Sequence, residues 1–224
     1  LTGESDADTV ADSARRRRLT ARQSAGRNEV LRAAAEAFTT RGYAATSIDD
    51  IADRLHATKG RVYHYFRTKG DIFIGIHKRA LEISFDSIRD ASDSDAPASE
   101  KLHRMARAHA LMMLNEPTFL RLAGQHAEMN LASEGRTPRE DVDEIRTLRR
   151  EYEARFERVI ARGIESGEFK ATDSYLMAKA VLGTLNWMSR WYHPGGDTDE
   201  DRFRIATSIA DFVVSGLRPT EADG

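Results

Sequence analysis

Thr58-Lys59-Gly60-Arg61-Val62-Tyr63-His64-Tyr65-Phe66 holds two positive charges, one glycine, three aromatic rings and a histidine. Just upstream, Thr46-Ser47-Ile48-Asp49-Asp50-Ile51-Ala52 runs on to Leu55, with Ile48, Ile51, Ala52 and Leu55 at the spacing of one helix face. Thr46 or Ser47 fits the N-cap of that helix. Asp49 and Asp50 fall in its first turn, where the helix dipole favours negative charge. His56-Ala57 makes a tight turn, and Thr58 caps a second helix that runs to about Tyr65. At 1.5 Å per residue this second helix is about 12 Å long, enough for a major groove and little else. A short packed helix, a tight turn and a short polar helix are how a helix-turn-helix presents itself to DNA.

Charge supports that reading. The chain of 224 residues has a net charge of −2, but the total hides an asymmetry. Arg15 to Lys69 contains 13 Lys and Arg against 5 Asp and Glu, a net of +8, which leaves −10 for the rest. A basic segment on an acidic remainder predicts a polyanion partner for the first part only. Arg15-Arg16-Arg17-Arg18 repel one another unless an anion neutralises them. Arg17 and Arg18 are therefore candidates for contact with phosphates or the minor groove, with a solvated tail as the alternative. Residues 1–26 read as a disordered basic arm.

Upstream of the turn, Val30, Leu31, Ala34, Ala37 and Phe38 predict a helix from Asn28 to Arg41, stopped by Gly42. Downstream, apolar spacing predicts helices over about 70–90, 99–114, 118–129, 138–166, 173–192 and 199–217. No strand and no internal repeat is expected, and the tail from Pro219 reads as disordered. No apolar run reaches about 18 residues, so neither a membrane span nor a secretory signal is expected. Cysteine is absent, which removes disulfides and thiolate ligands and suits a cytoplasmic protein.

These motifs, in this order and spacing, resemble the TetR family of bacterial transcriptional regulators over residues 27–74. The resemblance rests on Phe38 to Tyr43, on Thr46-Ser47-Ile48-Asp49-Asp50-Ile51-Ala52, and on Lys59 to Phe66 followed by Lys69. It implies an all-α fold: a three-helix DNA-binding domain over 27–74 and a larger helical ligand-binding and dimerisation domain over 75–218. One departure stands out. The family usually has glycine then valine before the recognition helix, whereas this chain has His56 and Ala57. Glycine suits a left-handed backbone there, and histidine adopts one more readily than most residues.

Chemistry assigns roles to the DNA-reading residues. Thr46 and Thr58 offer hydroxyls and helix N-terminal N–H groups to phosphates. Lys59 and Arg61 point outward, and Arg61 suits bidentate contact with guanine. Gly60 allows close approach to the duplex, and Tyr63 and His64 reach phosphates or base edges. The resemblance implies backbone contact at Tyr63, His64 and Lys69. Val62 and Phe66 read as core, and Tyr65 is left between core and contact. One such helix reads too little sequence for high specificity, so a homodimer on a palindromic operator in double-stranded DNA is expected.

The remaining helices must supply dimerisation, sensing or both. Leu176, Ala180, Gly183, Trp187 and Trp191 recur at near-four spacing, and the last helix carries Phe203, Ala206, Ile209, Ala210, Phe212 and Val213. Both look apolar over more than one face, as an interface requires. The stretch from Leu182 to Gly196, with its Asn186-Trp187 pair, is similar to regulators of fatty-acid and sterol catabolism. That similarity implies an acyl-CoA thioester as effector, with a non-CoA hydrophobic ligand as the alternative. Asn186 is a ligand candidate because a buried amide needs partners. Trp187 fits stacking on a ligand as well as core filling. Arg190 suits a CoA phosphate or an acidic neighbour, and Met112 and Tyr152 are assigned to the cavity. The helix beginning near Gly70 is expected to link pocket and DNA-binding head.

Catalysis is the rival class. His77, His103, His109 and His126 are the available acid–base or metal groups, but His103 and His109 stand six apart, on different helix faces. No phosphate loop, nucleophile elbow or dinucleotide glycine pattern occurs. No enzyme activity, metal or cofactor is expected. A helical protein-interaction module is the other alternative.

Overall fold

The structure is a computed structural model that describes residues 4–123 and 139–219, with side chains described from residue 21 onward except at 121, 123 and 139. Its described residues form α1 (Glu4–Arg41), α2 (Ile48–Arg54), α3 (Lys59–Tyr65), α4 (Lys69–Asp93) and α5 (Ala98–Asn115). Then follow α6 (Pro117–Ala123), α7 (Arg139–Glu165), α8 (Ser174–Trp191) and α9 (Asp199–Ser215). No strand occurs among these residues. Two units divide the chain, Leu1–Phe73 and Ile74–Gly224.

In the first unit α2 packs against both α1 and α3. The core is dry: Val30, Leu31, Ala34, Ile51, Val62, Ile72 and Phe73 have no solvent exposure. Phe38, Tyr43 and Phe73 form an aromatic cluster, with the Tyr43 and Phe73 centroids 4.8 Å apart and edge to face. Gly42, at φ 83°, takes the left-handed conformation that closes α1, and its N–H donates to the Phe38 carbonyl.

The start of α1 differs from the sequence-based expectation. Helix was expected from Asn28, after a disordered arm over 1–26, but α1 begins at Glu4. Between Glu4 and Ala25 the sequence is rich in alanine and arginine and has neither proline nor glycine. Such residues favour helix even without an apolar stripe.

The second unit is built around α5. This helix buries Leu102, Met105, Ala106, Ala110, Met113 and Leu114, and it packs against α6, α7, α8 and α9. Its N-terminus is capped from a distance. Pro97 at the N-cap has no side-chain donor or acceptor. Instead, the Glu168 carboxylate accepts from the backbone N–H groups of Ala98 (3.0 Å) and Ser99 (2.9 Å) and from the Ser99 and Ser166 hydroxyls. These bonds hold its pKa at about 2, chiefly through Ser99. The helix expected over 118–129 is described only as far as Ala123, and the tail beyond Pro219 lies outside the described residues.

Candidate functional site

Two surfaces carry chemistry, one in each unit. The first is the exposed side of the helix-turn-helix. Ser47, not Thr46, caps α2: its hydroxyl accepts from the Asp50 N–H, and the Asp50 carboxylate accepts from the Ser47 N–H at 2.8 Å. Asp50 also pairs with Arg41. The turn closes through His56, whose φ is 51°. Its N–H donates to Asp53 and that of Ala57 to Ala52, both at 3.0 Å. This is a Schellman closure with histidine where glycine is usual. The departure from the family pattern therefore keeps the backbone and accepts the strain.

Beyond the turn, Thr58, Lys59, Gly60, Arg61, Tyr63 and His64 are all exposed, and Tyr63 retains 52% of its surface. Thr58 makes no side-chain cap bond. Lys59 pairs with Asp49 at 2.7 Å, and Arg61 pairs with Glu29 of α1. Val62 and Phe66 are buried, and the Arg27 guanidinium lies over the Phe66 ring. Tyr65 is half-buried. A Cβ added at Gly26 would meet its hydroxyl and oblige the Tyr65 ring to shift.

Two of the DNA candidates have structural tasks. Thr46 is 2% exposed and donates its hydroxyl to the Gly42 carbonyl at 2.8 Å. Its side chain faces inward, which corrects the phosphate role assigned to it: the hydroxyl satisfies the chain reversal after α1. Lys69 donates to the Tyr43 carbonyl at 3.0 Å, with its ammonium 4.4 Å from the Tyr43 ring centroid. Arg17 and Arg18 lie in the backbone span of α1, but their side chains fall outside the described residues.

The second surface is a cavity of about 280 Å³ inside the helical unit. Ala80, Leu81, Met112, Met113, Leu120 and Leu182 form its apolar lining. Its polar lining includes His77, His109, Tyr152 and Asn186, with Arg149, Glu153 and Ser189. Tyr152, His109 and Asn186 form a chain. Tyr152 Oη lies 2.7 Å from His109 Nδ1, and His109 Nε2 lies 3.2 Å from Asn186 Oδ1. Burial lowers the His109 pKa to about 4 and pushes the Tyr152 phenol up, so both are neutral at physiological pH. His77 is lowered to about 4 as well, by burial first and Arg149 second.

Met112, Tyr152 and Asn186 thus line one cavity, but Trp187 and Arg190 do not. Trp187 is 63% exposed, and the Arg190 guanidinium stands 6.0 Å from its ring centroid. The ligand roles given to this pair are corrected accordingly. Adjacent helical residues point about 100° apart, so with the Asn186 side chain tied to His109, Trp187 turns away. His77, His109 and Arg149 are among the lining residues the sequence reading did not assign to a ligand. A histidine in the apolar register of α5 was the available signal.

Trp187 belongs to a third feature. Leu176, Trp187 and Trp191 of α8 and Phe212 of α9 are exposed large apolar side chains, with Phe212 at 68%.

A three-helix head with an exposed cationic recognition helix, joined to a helical C-terminal unit, defines a helix-turn-helix DNA-binding protein. The chain belongs to the TetR family of bacterial regulators. Residues 30–76 match the family of bacterial regulatory proteins named for tetR, and residues 95–217 match the tetracyclin repressor-like C-terminal domain. The chain is 30% identical over 179 residues to the HTH-type transcriptional repressor KstR2 of Mycobacterium tuberculosis, covering 76% of this chain and 82% of that one. It is 25% identical over 196 residues to the fatty acid metabolism regulator protein of Bacillus subtilis, covering 84% and 94%. The structure of PfmR, a TetR family transcriptional regulator from Thermus thermophilus, matches with a TM-score of 0.72 at 30% identity, covering 85% of this chain and 99% of that one. These relatives are transcriptional regulators, not enzymes. Among the described residues no helix is long and apolar enough to cross a membrane, and no group of three or more acidic or histidine side chains is placed to hold a metal ion.

Proposed function

We propose that this chain is a repressor that binds a palindromic operator as a homodimer and is released when an acyl-CoA thioester of lipid catabolism occupies the cavity of the helical unit. The observation that carries the effector reading is the cavity itself, apolar along one side and closed by the neutral Tyr152–His109–Asn186 chain on the other. A mostly apolar lining with a few convergent polar groups is the usual form of a small-molecule site. Its relatives include a regulator named for fatty acid metabolism.

DNA contact falls to Thr58, Lys59, Gly60, Arg61, Tyr63 and His64, with Lys69 and the arginine run of α1, Arg17 and Arg18 included, on the phosphates. Binding exchanges the Glu29 partner of Arg61 and the Asp49 partner of Lys59 for DNA. The apolar face of α8 and α9 is where a second copy docks, since exposed patches of this kind mark interaction sites. Ligand binding shifts the population of helix arrangements, and α4 carries the shift toward the head.

The test is a gel shift on a palindromic promoter fragment recovered by pull-down of bound genomic DNA, with a ladder of acyl-CoAs added. Release of DNA by one chain-length class, and a two-copy mass in sedimentation, are the expected results. DNA binding that no acyl-CoA alters leaves the regulator and removes the effector.

A further inference from the structure

The polar wall of the cavity has a direction, and that direction restricts the ligand. Asn186 Oδ1 is an acceptor only, so His109 Nε2 must carry the ring proton and donate to it. His109 Nδ1 is then a lone pair, and it accepts the Tyr152 hydroxyl proton. Donation runs from Tyr152 through His109 to Asn186. The amide oxygen of Asn186 is turned inward to His109, which turns its Nδ2 hydrogens toward whatever enters. The wall offers a donor, and a ligand must bring an acceptor.

The acceptor is a neutral one. His109 and Tyr152 are uncharged in this environment. Of the charged members of the lining, Arg149 is exposed and acts on His77 rather than on the Tyr152–His109–Asn186 chain, and Glu153 pairs with Lys179. A carboxylate pressed against the Asn186 wall would lose its hydration without gaining a buried cation, whereas a carbonyl loses little. Asn186 is itself exposed although its oxygen is tied to the buried His109. It therefore stands at the mouth, where an acyl group inside meets a carrier outside.

Size sets the other limit. A cavity of about 280 Å³ has room for a medium-length acyl group, and a coenzyme A moiety stays outside.

We propose that Asn186 is the specificity residue of this cavity, its Nδ2 donating to the thioester carbonyl of a medium-length acyl group, with His109 and Tyr152 as positioning residues that fix the amide. This rests on the effector reading above and narrows it.

The test uses full-length protein and titration calorimetry with four probes: octanoyl-CoA, S-octyl-CoA (the thioether without the carbonyl), palmitoyl-CoA and octanoate. Octanoyl-CoA is expected to bind about ten-fold tighter than S-octyl-CoA, the value of one hydrogen bond. Asn186→Leu brings that ratio to about one while S-octyl-CoA binding persists. Tyr152→Phe, which frees the histidine tautomer, lowers the ratio and leaves the mouth residue in place. Equal binding of the two octyl compounds by the unmodified protein overturns the carbonyl contact and leaves acyl-CoA sensing standing. Tighter binding of palmitoyl-CoA overturns the size limit, and tighter binding of octanoate overturns the neutral acceptor. If no CoA compound binds while the protein still holds its operator, the effector reading falls too, a result distinct from the others.

Discussion

The DNA-binding unit and the helical unit bury polar groups in opposite ways. In the first, Thr46 is the buried polar side chain among the described residues, and its hydroxyl is spent on the Gly42 carbonyl. In the second, His77, His109 and Tyr152 surround a cavity. A surface that reads DNA must hold α3 in one place, and a filled core does that. A surface that senses a ligand must leave room and keep unsatisfied bonding capacity at its edge. The same packing rules give a rigid head and a receptive body because different side chains occupy the apolar registers.

Four experiments press on that contrast, and the largest effect is expected in the filled core. Phe73→Ala removes a fully buried ring that touches both Phe38 and Tyr43. It should cost about 3–5 kcal/mol in chemical denaturation. A loss under about 1 kcal/mol would mean that the head is not tightly packed.

A matched pair of enlargements comes next. Ala52 in the head is 3% exposed and Ala80 on the cavity wall is 2% exposed. Ala52→Leu should overpack and cost about 1–3 kcal/mol. Ala80→Leu should fill the cavity, stabilise by about 0.5–2 kcal/mol and abolish the response to octanoyl-CoA. Equal destabilisation by both would erase the distinction between the units.

Glu168→Gln tests the remote cap of α5 and should cost about 1 kcal/mol at neutral pH. The folded pKa is depressed from an ordinary 4.5 to about 2, so the contribution is present above pH 4.5 and is lost as pH falls through 2. The gap between the parent and the glutamine variant should therefore close across that window in acid denaturation. The smallest effect belongs to His56→Gly, which relieves a left-handed residue and should stabilise by about 0.5–1 kcal/mol with DNA affinity unchanged.

The head was more legible in the sequence than the body, for a physical reason. Caps, acidic first turns and turn spacing are local signals, and they placed α2 and α3 close to their observed bounds; the family resemblance, with its usual glycine, marked His56 for an unusual backbone. Thr46 was misassigned because it and Ser47 are adjacent, and sequence alone does not say which hydroxyl turns outward. The extent of α1 was missed because propensity, not apolar periodicity, continues it back to Glu4. The cavity's polar chain joins Tyr152, His109 and Asn186 from three helices. No spacing rule links residues so far apart, whereas their membership of separate helices was readable. Trp187 looked like a partner of Asn186 because it is its neighbour in sequence, which on a helix is what turns it away.

That turn has an optical consequence. The chain holds two tryptophans, Trp187 and Trp191, one helical turn apart on α8, and both are exposed in the single chain. The DNA-binding head contains none. Indole emission therefore reports on one face of one helix and on nothing else in the molecule. A blue shift on raising the protein concentration would record a second copy covering that face, with no label attached.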